Sequence, residues 1–230
     1  YSAYSGHQIS LNRLEHSENY CRKIREAVGD SCDILIGTHG QMTPSSAIRL
    51  AKRLEQFDPL WFEEPVPPGQ SSAMAEVAKK TSIPVATGER LTSKYEFYDV
   101  LKNNSASIIQ MNLGRVGGIL EAKKIASLAE VYYAQIAPHL YNGPVGAAAS
   151  IQLATATPNF LIQECIKTWD GFYQEVLQEP IKWTQGHIIP SIKPGLGIEL
   201  NYDIVKANSP YKGRKLHLSM DSKPYSAADD

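Results

Sequence analysis

The sequence predicts an α/β fold in which parallel strands and helices alternate and close into a (β/α) barrel. Short apolar runs alternate with amphipathic stretches along the chain, a pattern typical of parallel sheets covered by helices. Polar or glycine residues follow these runs at steps of 23 to 27 residues between Gly37 and Glu164, one βα unit each. No glycine-rich phosphate loop follows the first run, which argues against an open nucleotide-binding sheet.

Six apolar runs are predicted as strands because they are too short for helices and rich in β-branched or aromatic residues. They occupy residues 33–37, 60–63, 84–87, 107–111, 133–137 and 159–163. A short returning strand is expected at 197–200, among proline- and glycine-rich loops.

Amphipathic helices are predicted between these strands. Thr43 followed by Pro44 is typical of a helix start, and apolar residues from Ala47 to Phe57 mark one face. Further helical stretches cover about 17–29, 71–80, 93–103, 118–131 and 144–156. Strands that alternate with helices pair in parallel through right-handed crossovers.

The composition excludes several classes of protein. The 230 residues carry 23 basic and 24 acidic side chains, a net charge of −1, so neither a nucleic-acid nor a membrane partner is expected. No 18-residue apolar run and no signal peptide occurs. Three cysteines without metal-type spacing indicate free thiols in a reducing compartment, and we predict a cytoplasmic protein.

The chain is predicted to form one barrel domain. We expect an N-terminal extension or loop at 1–16, the barrel at 17–205, and a C-terminal extension at 206–230. Only six or seven strands can be counted, and the chain does not begin with Met, so one strand is expected to precede Tyr1.

Two glutamates are candidate metal ligands. Glu63 and Glu89 end consecutive predicted strands, so their carboxylates should converge at one edge of the sheet. Strand alternation predicts that Glu63 and Glu64 point in opposite directions, and that only one of them enters the mouth of the barrel. Converging carboxylates suit Mg²⁺ or Mn²⁺. The alternative is that the acids pair with a basic residue such as Arg90.

Two histidines are candidate acid–base residues. His39 and His139 follow two predicted strands that lie four βα units apart, which places them on opposite sides of the barrel mouth. One imidazole could therefore act as a base and the other as an acid on a substrate held between them. A structural role is the alternative. The other histidines are read as surface or packing residues; they are His7, His16, His187 and His217.

Five motifs, in order, resemble the enolase superfamily, and within it the mandelate racemase group, most nearly acid sugar dehydratases of the galactonate type. The resemblance covers about residues 17 to 205. The motifs are Phe62–Pro65, Thr87–Arg90, Gln110–Gly118, Ala137–His139 with Gly143–Pro144, and Lys193–Gly197.

This resemblance implies a (β/α)7β barrel, preceded by an α+β capping domain that has no counterpart in these residues, as the first barrel strand has none. It also implies Mg²⁺-dependent removal of the proton α to a carboxylate, with Mn²⁺ as an alternative ion, and dehydration of a small sugar acid. Glu63 and Glu89 correspond to metal ligands. His139 corresponds to the general base and His39 to the acid that assists the leaving hydroxide. Glu164 corresponds to the acid that hydrogen-bonds the substrate carboxylate or enolate, and family members often form homo-oligomers.

Two positions depart from the family pattern. Gly37 occupies the position of the first metal ligand, usually Asp, so weaker metal binding is expected. Asn112 replaces the Asp that pairs with His139, and we expect its carbonyl oxygen to orient the imidazole without balancing its charge. A racemase or cycloisomerase shares the first chemical step and stays open. So does a non-catalytic barrel, since Gly37 and Asn112 both remove charge.

Overall fold

The computed structural model describes residues 8–165 and 169–209. His7, His217, residues 1–7 of the predicted N-terminal extension and most of the predicted C-terminal extension lie outside these residues. The central element is a five-stranded parallel sheet whose strands are neighbours in chain order. The strands are β1 (Leu35–Gly37), β2 (Trp61–Glu63), β3 (Val85–Thr87), β4 (Ile108–Ile109) and β5 (Gln135–Ile136).

The strand register brings one end of every strand to the same edge of the sheet. Gly37 pairs with Glu63, and Glu63 pairs with Ala86 of the next strand. The predicted strand over 159–163 is reduced to a parallel bridge between Phe160 and Ile136. The amide of Ile136 donates to Asn159 O at 2.8 Å, so this segment still extends the sheet beyond β5.

Seven helices cover the sheet within residues 8–165. Six of them were predicted, and their bounds agree with the prediction to within a few residues except at the first helix, which begins at Leu11 and not near residue 17. The short helix Leu113–Val116 was not predicted. Ser10 caps that helix through its side chain, and only Leu14 and Cys21 are buried along it, so its apolar pattern is weak. The helices are α1 (Leu11–Val28), α2 (Pro44–Leu54), α3 (Ser71–Ala78), α4 (Lys94–Lys102), α5 (Leu113–Val116), α6 (Ile119–Val131) and α7 (Pro144–Thr155).

Capping residues fix where these helices begin. Thr43 accepts a hydrogen bond from the amide of Ser46, with Pro44 as the first helical residue, as predicted. Ser93 and Glu96 form a reciprocal capping box at the start of α4. The helix faces and the strands then share one apolar core, in which Phe62, Phe97 and Ile109 are fully buried.

The segment after Trp169 contains structure that the sequence pattern did not indicate. Helix α8 (Phe172–Glu175) precedes a hairpin of β6 (Lys182–Thr184) and β7 (His187–Ile189), and α9 (Tyr202–Ala207) follows it. Gln185 and Gly186 have φ of 48° and 78°, as a two-residue hairpin turn requires. The returning strand predicted over 197–200 is a single bridge from Leu200 to Leu177. Within the described ranges, no helix is long and apolar enough to cross a membrane.

Candidate active site

The carboxyl edge of the sheet borders an open cavity of about 530 Å³. β1, β3, β4 and β5 each contribute a side chain from the loop just after the strand, where parallel strands bring side chains together. The lining includes five residues that the sequence singled out, namely His39, Glu89, Asn112, His139 and Glu164. Gly114, Arg115, Tyr141 and Asn142 complete it.

Glu89 lies between the two predicted acid–base histidines. Its Oε1 is 2.9 Å from Nε2 of His39, and its Oε2 is 3.5 Å from Nε2 of His139. The side chain of His139 is 15% exposed, whereas that of His39 is 62% exposed. Nε2 of His139 also lies 3.9 Å from Oε2 of Glu164. The geometry therefore gathers both imidazoles around one carboxylate.

Glu63, at the end of β2, is held by Gln110. The amide Nε2 of Gln110 donates to Oε2 of Glu63 at 2.7 Å. Burial raises the pKa of Glu63, the hydrogen bond from Gln110 opposes that rise, and the carboxylates of Glu89 and Glu164 add to it. Sequence reasoning gave Gln110 no role of its own; its position at the end of β4, two residues before Asn112, was the available signal.

Glu64 also faces the site, so the prediction that only one of the two adjacent glutamates could do so is wrong. Its φ of 38° lies in the left-handed region, which ends the alternation of the strand. Thr38 holds this turn by donating its hydroxyl to the carbonyl oxygens of Glu63 and Glu64 at 3.0 and 2.8 Å. Glu64, His39 and Glu89 offer ligand atoms that all lie within 4.8 Å of one another.

The Glu64 carboxylate is buried and paired with Arg90. Nε and Nη2 of Arg90 lie 2.9 and 2.7 Å from Oε2 of Glu64. Burial raises the pKa of Glu64, and the hydrogen bond and charge of Arg90 oppose that rise. Oε1 of Glu64 is buried without a hydrogen-bond partner among the described residues.

Asn112 contacts His139, as predicted, but through the other end of its amide. Its Oδ1 accepts hydrogen bonds from the amide of Gly114 at 2.9 Å and from Nδ2 of Asn142 at 3.2 Å. Its Nδ2 lies 2.8 Å from Nδ1 of His139. The expectation that the carbonyl oxygen orients the imidazole is therefore wrong, because Asn112 uses that oxygen as the N-cap of α5.

Glu164 borders the site, and Cys165 follows it in the chain. Oε2 of Glu164 accepts a hydrogen bond from the amide of Leu140 at 2.7 Å, which fixes a side chain that is 42% exposed. Burial raises the pKa of the neighbouring Cys165 to about 11, and the Glu164 carboxylate adds to that effect. The Cys165 thiol therefore stays protonated near neutral pH and is a poor nucleophile.

The sequence of the chain matches a known domain family. The family described as "Enolase C-terminal domain-like" matches residues 4–204. The chain belongs to the enolase superfamily. A crystal structure from Burkholderia SAR-1, named after mandelate racemase and muconate lactonizing enzyme, is 68% identical, with a TM-score of 0.88, over 100% of this chain and 57% of that one. A mandelate racemase/muconate lactonizing enzyme from Sulfitobacter sp. is 49% identical, with a TM-score of 0.84, over 96% and 55%. These neighbours place the domain in the mandelate racemase group.

Curated relatives of this enolase-type domain carry dehydratase names. The D-xylonate dehydratase of Haloferax volcanii is 37% identical over 195 residues, which are 85% of this chain and 47% of that protein. The D-galactonate dehydratase of Pectobacterium atrosepticum is 36% identical over 191 residues, 80% of this chain and 50% of that protein. The chain thus spans about half the length of the curated relatives it matches.

Proposed function

We propose that this domain carries the site for metal-dependent dehydration of a sugar acid. The observation that carries the proposal is the convergence of His39 and His139 on the Glu89 carboxylate, beside Glu63 and Glu164. This set combines oxygen ligands for a hard cation with two groups that can transfer protons. The dehydratase names of the two curated relatives support the same reaction class.

The donor set fits a divalent cation such as Mg²⁺, with Mn²⁺ as the alternative. Glu63 and Glu89 would hold it. Burial and, to a smaller extent, the neighbouring carboxylates raise the pKa of Glu63, and a bound cation would relieve the repulsion between these carboxylates. Glu64 offers a further oxygen, since its buried Oε1 has no hydrogen-bond partner among the described residues. When bound, the cation supplies Lewis-acid polarisation of the substrate carboxylate.

The roles of the chain's own residues follow the family pattern. His139 would accept the α proton at Nε2, and His39 would donate a proton to the departing β-hydroxyl, which leaves as water. Glu164 would hydrogen-bond the substrate carboxylate or enolate, held in place by the amide of Leu140. A (β/α)7β barrel with a capping domain, a homo-oligomeric state and a cytoplasmic location stay predictions.

Activity is tested by incubating the chain with Mg²⁺ and a panel of acid sugars that includes D-xylonate and D-galactonate. We expect formation of the dehydrated 2-keto product from at least one of them. His139→Asn and His39→Asn should lower that rate by about 10²–10⁴, whereas His187→Asn, at an exposed position in the hairpin, should not change it. Equal loss in all three variants would contradict the proposed roles.

Metal binding is tested separately by calorimetry with Mg²⁺ and with Mn²⁺. Glu63→Gln and Glu89→Gln should each weaken binding of the cation. Glu64→Gln tests whether the buried Oε1 of Glu64 is a further ligand. Glu130→Gln, on the exposed face of α6, is the matched control. Binding that survives loss of both Glu63 and Glu89 would place the cation elsewhere.

A second candidate is a barrel that binds the carboxylate of a sugar acid without removing its proton. Gly37 favours it because this position contributes no carboxylate to the cation. Asn112 favours it because its amide, and not a carboxylate, faces Nδ1 of His139. Saturable binding of an acid sugar, without dehydration and without exchange of its α proton, would support this candidate over the first.

A further inference from the structure

The two ends of the Asn112 amide can be told apart from their neighbours. A backbone N–H can only donate, and the amide of Gly114 lies 2.9 Å from one branch of the side chain. That branch is therefore the carbonyl oxygen. The side-chain amide of Asn142 is a second donor to it, at 3.2 Å. Asn112 is 3% exposed and caps α5 through this oxygen, so its orientation is set by the helix start.

The other branch is an NH2 group, and it determines where the His139 ring carries its proton. This group lies 2.8 Å from Nδ1 of His139 and has only hydrogens to offer. Nδ1 must therefore accept, and a neutral imidazole then carries its single proton on Nε2. The surroundings of Nε2 agree with a proton at this position, because the nearest charged groups are carboxylates. Their oxygens lie 3.5 Å away on Glu89 and 3.9 Å away on Glu164.

We infer that Asn112 holds neutral His139 as the Nε2–H tautomer, so that the nitrogen facing the cavity presents a proton and not a lone pair. Asn112 is thus a positioning residue that restrains the predicted base. Only the minor population with a lone pair on Nε2 can remove a substrate proton. In serine proteases, Asp→Asn behind the catalytic histidine produces the wrong tautomer and lowers turnover about 10⁴-fold.

The opposite tautomer requires the Asn112 side chain to turn over. Its NH2 would then meet the N–H of Gly114, donor against donor, and α5 would lose its side-chain cap. An aspartate at this position has no such conflict. One of its oxygens can cap α5 while the other accepts a proton from Nδ1, which leaves the lone pair on Nε2.

The tautomer is measured directly by ¹⁵N nuclear magnetic resonance of the histidine-labelled, metal-free chain, with His139→Asn to assign the signal. In the neutral ring of wild type we expect the proton on Nε2. In Asn112→Asp we expect it on Nδ1, and the His187 signals should be unchanged. A wild-type ring protonated at Nδ1 would overturn the inference.

The consequence for catalysis rests on the proposed function and has its own measurement. With Mg²⁺ and the acid sugars in D2O, Asn112→Asp should raise exchange of the α proton by up to about 10⁴-fold over wild type. Asn112→Ser keeps a helix cap and removes the NH2 group without supplying a carboxylate, so it should raise the exchange rate by much less than Asn112→Asp does. An exchange rate in Asn112→Asp no higher than in wild type would overturn the inference that Asn112 restrains catalysis by His139. If the spectra show Nε2–H but no variant exchanges any acid sugar, the tautomer stands and the proposed function fails.

Discussion

Gly37 faces the carboxylate of Glu63 across the paired ends of β1 and β2. A Cβ placed on Gly37 would lie 3.9 Å from Oε1 of Glu63, an ordinary contact distance. Gly37 lies in a strand and is not among the glycines with positive φ, so its backbone accepts other residues. The glycine therefore leaves room for a Cβ beside a metal-ligand candidate.

Gly37→Asp should tighten Mg²⁺ binding by at least about tenfold. Loss of a residue that merely supports a metal ligand costs about 10–100-fold in affinity, and an added carboxylate would be a ligand itself. Calorimetric titration of the wild type and the variant measures this. Gly37→Asn is the control, because asparagine has nearly the shape of aspartate without its charge. It should gain less affinity for Mg²⁺ than Gly37→Asp. Unchanged or weaker binding in Gly37→Asp would show that the site is built around the glycine.

Glu63→Gln should stabilise the metal-free chain increasingly as the pH rises. Burial raises the folded-state pKa of Glu63, so the folded chain holds this proton more tightly than the unfolded chain, whose Glu pKa is about 4.3. The protonated carboxyl contributes its full stability below the unfolded value, and that contribution is lost as pH rises through the folded value. Urea denaturation in the presence of a chelator measures the difference between variant and wild type.

The control for this pH dependence is Glu121→Gln. Hydrogen bonds from Lys124 and Lys94 lower the pKa of Glu121, so its contribution is present above the unfolded pKa and is lost as pH falls. This variant should therefore become more destabilising with rising pH, opposite in sign to Glu63→Gln. The same trend in both variants would contradict the role of burial at Glu63.

Arg90→Met should lower the free energy of unfolding by about 3 kcal/mol. The variant leaves the fully buried Glu64 carboxylate without its counter-charge. Because the Arg90 side chain is 32% exposed, we expect a loss of stability at the lower end of the range for breaking a buried ion pair. Denaturant unfolding measures it. Arg90→Lys keeps the charge but not the contacts from two guanidinium nitrogens, and it should lose less stability than Arg90→Met. Combining Arg90→Met with Glu64→Gln should recover part of the loss; no recovery would show that packing, not charge, accounts for it.

Arg25→Met should destabilise the fold by about 2 kcal/mol, because its guanidinium joins the end of α1 to two loops of the barrel. It donates to the carbonyl oxygens of Gly29, Cys32 and Phe57 at 2.8 Å each. Arg49→Met is the matched control, since Arg49 donates to the carbonyl oxygen of Ile9 at 3.1 Å from an exposed position. It should change stability by less than about 0.5 kcal/mol. Equal effects of the two variants in thermal or urea unfolding would contradict this role of Arg25.

The order of strands and helices could be predicted because buried parallel strands and amphipathic helices each leave a periodic apolar pattern. The spacing of residues such as Glu63, Glu89 and His139 also predicted that their side chains meet at one edge of the sheet. Where the pattern was weak the prediction failed. Helix α1 buries only Leu14 and Cys21, and its start was placed too late. The hairpin of β6 and β7 depends on a two-residue turn between strands of three residues, too short to show alternation.

The sequence by itself determined most of the functional groups that converge at the site, and the tertiary structure added Glu64 and Gln110 and decided which atoms face one another. Left-handed backbone at Glu64, held by the Thr38 hydroxyl, turns a second carboxylate toward the site. The side-chain oxygen of Asn112 caps the start of α5, so its NH2 group is the end that contacts His139. The physical reason is that residue spacing fixes where a strand ends, whereas a backbone dihedral or an amide orientation is fixed by hydrogen bonds with elements distant along the chain or by a helix cap.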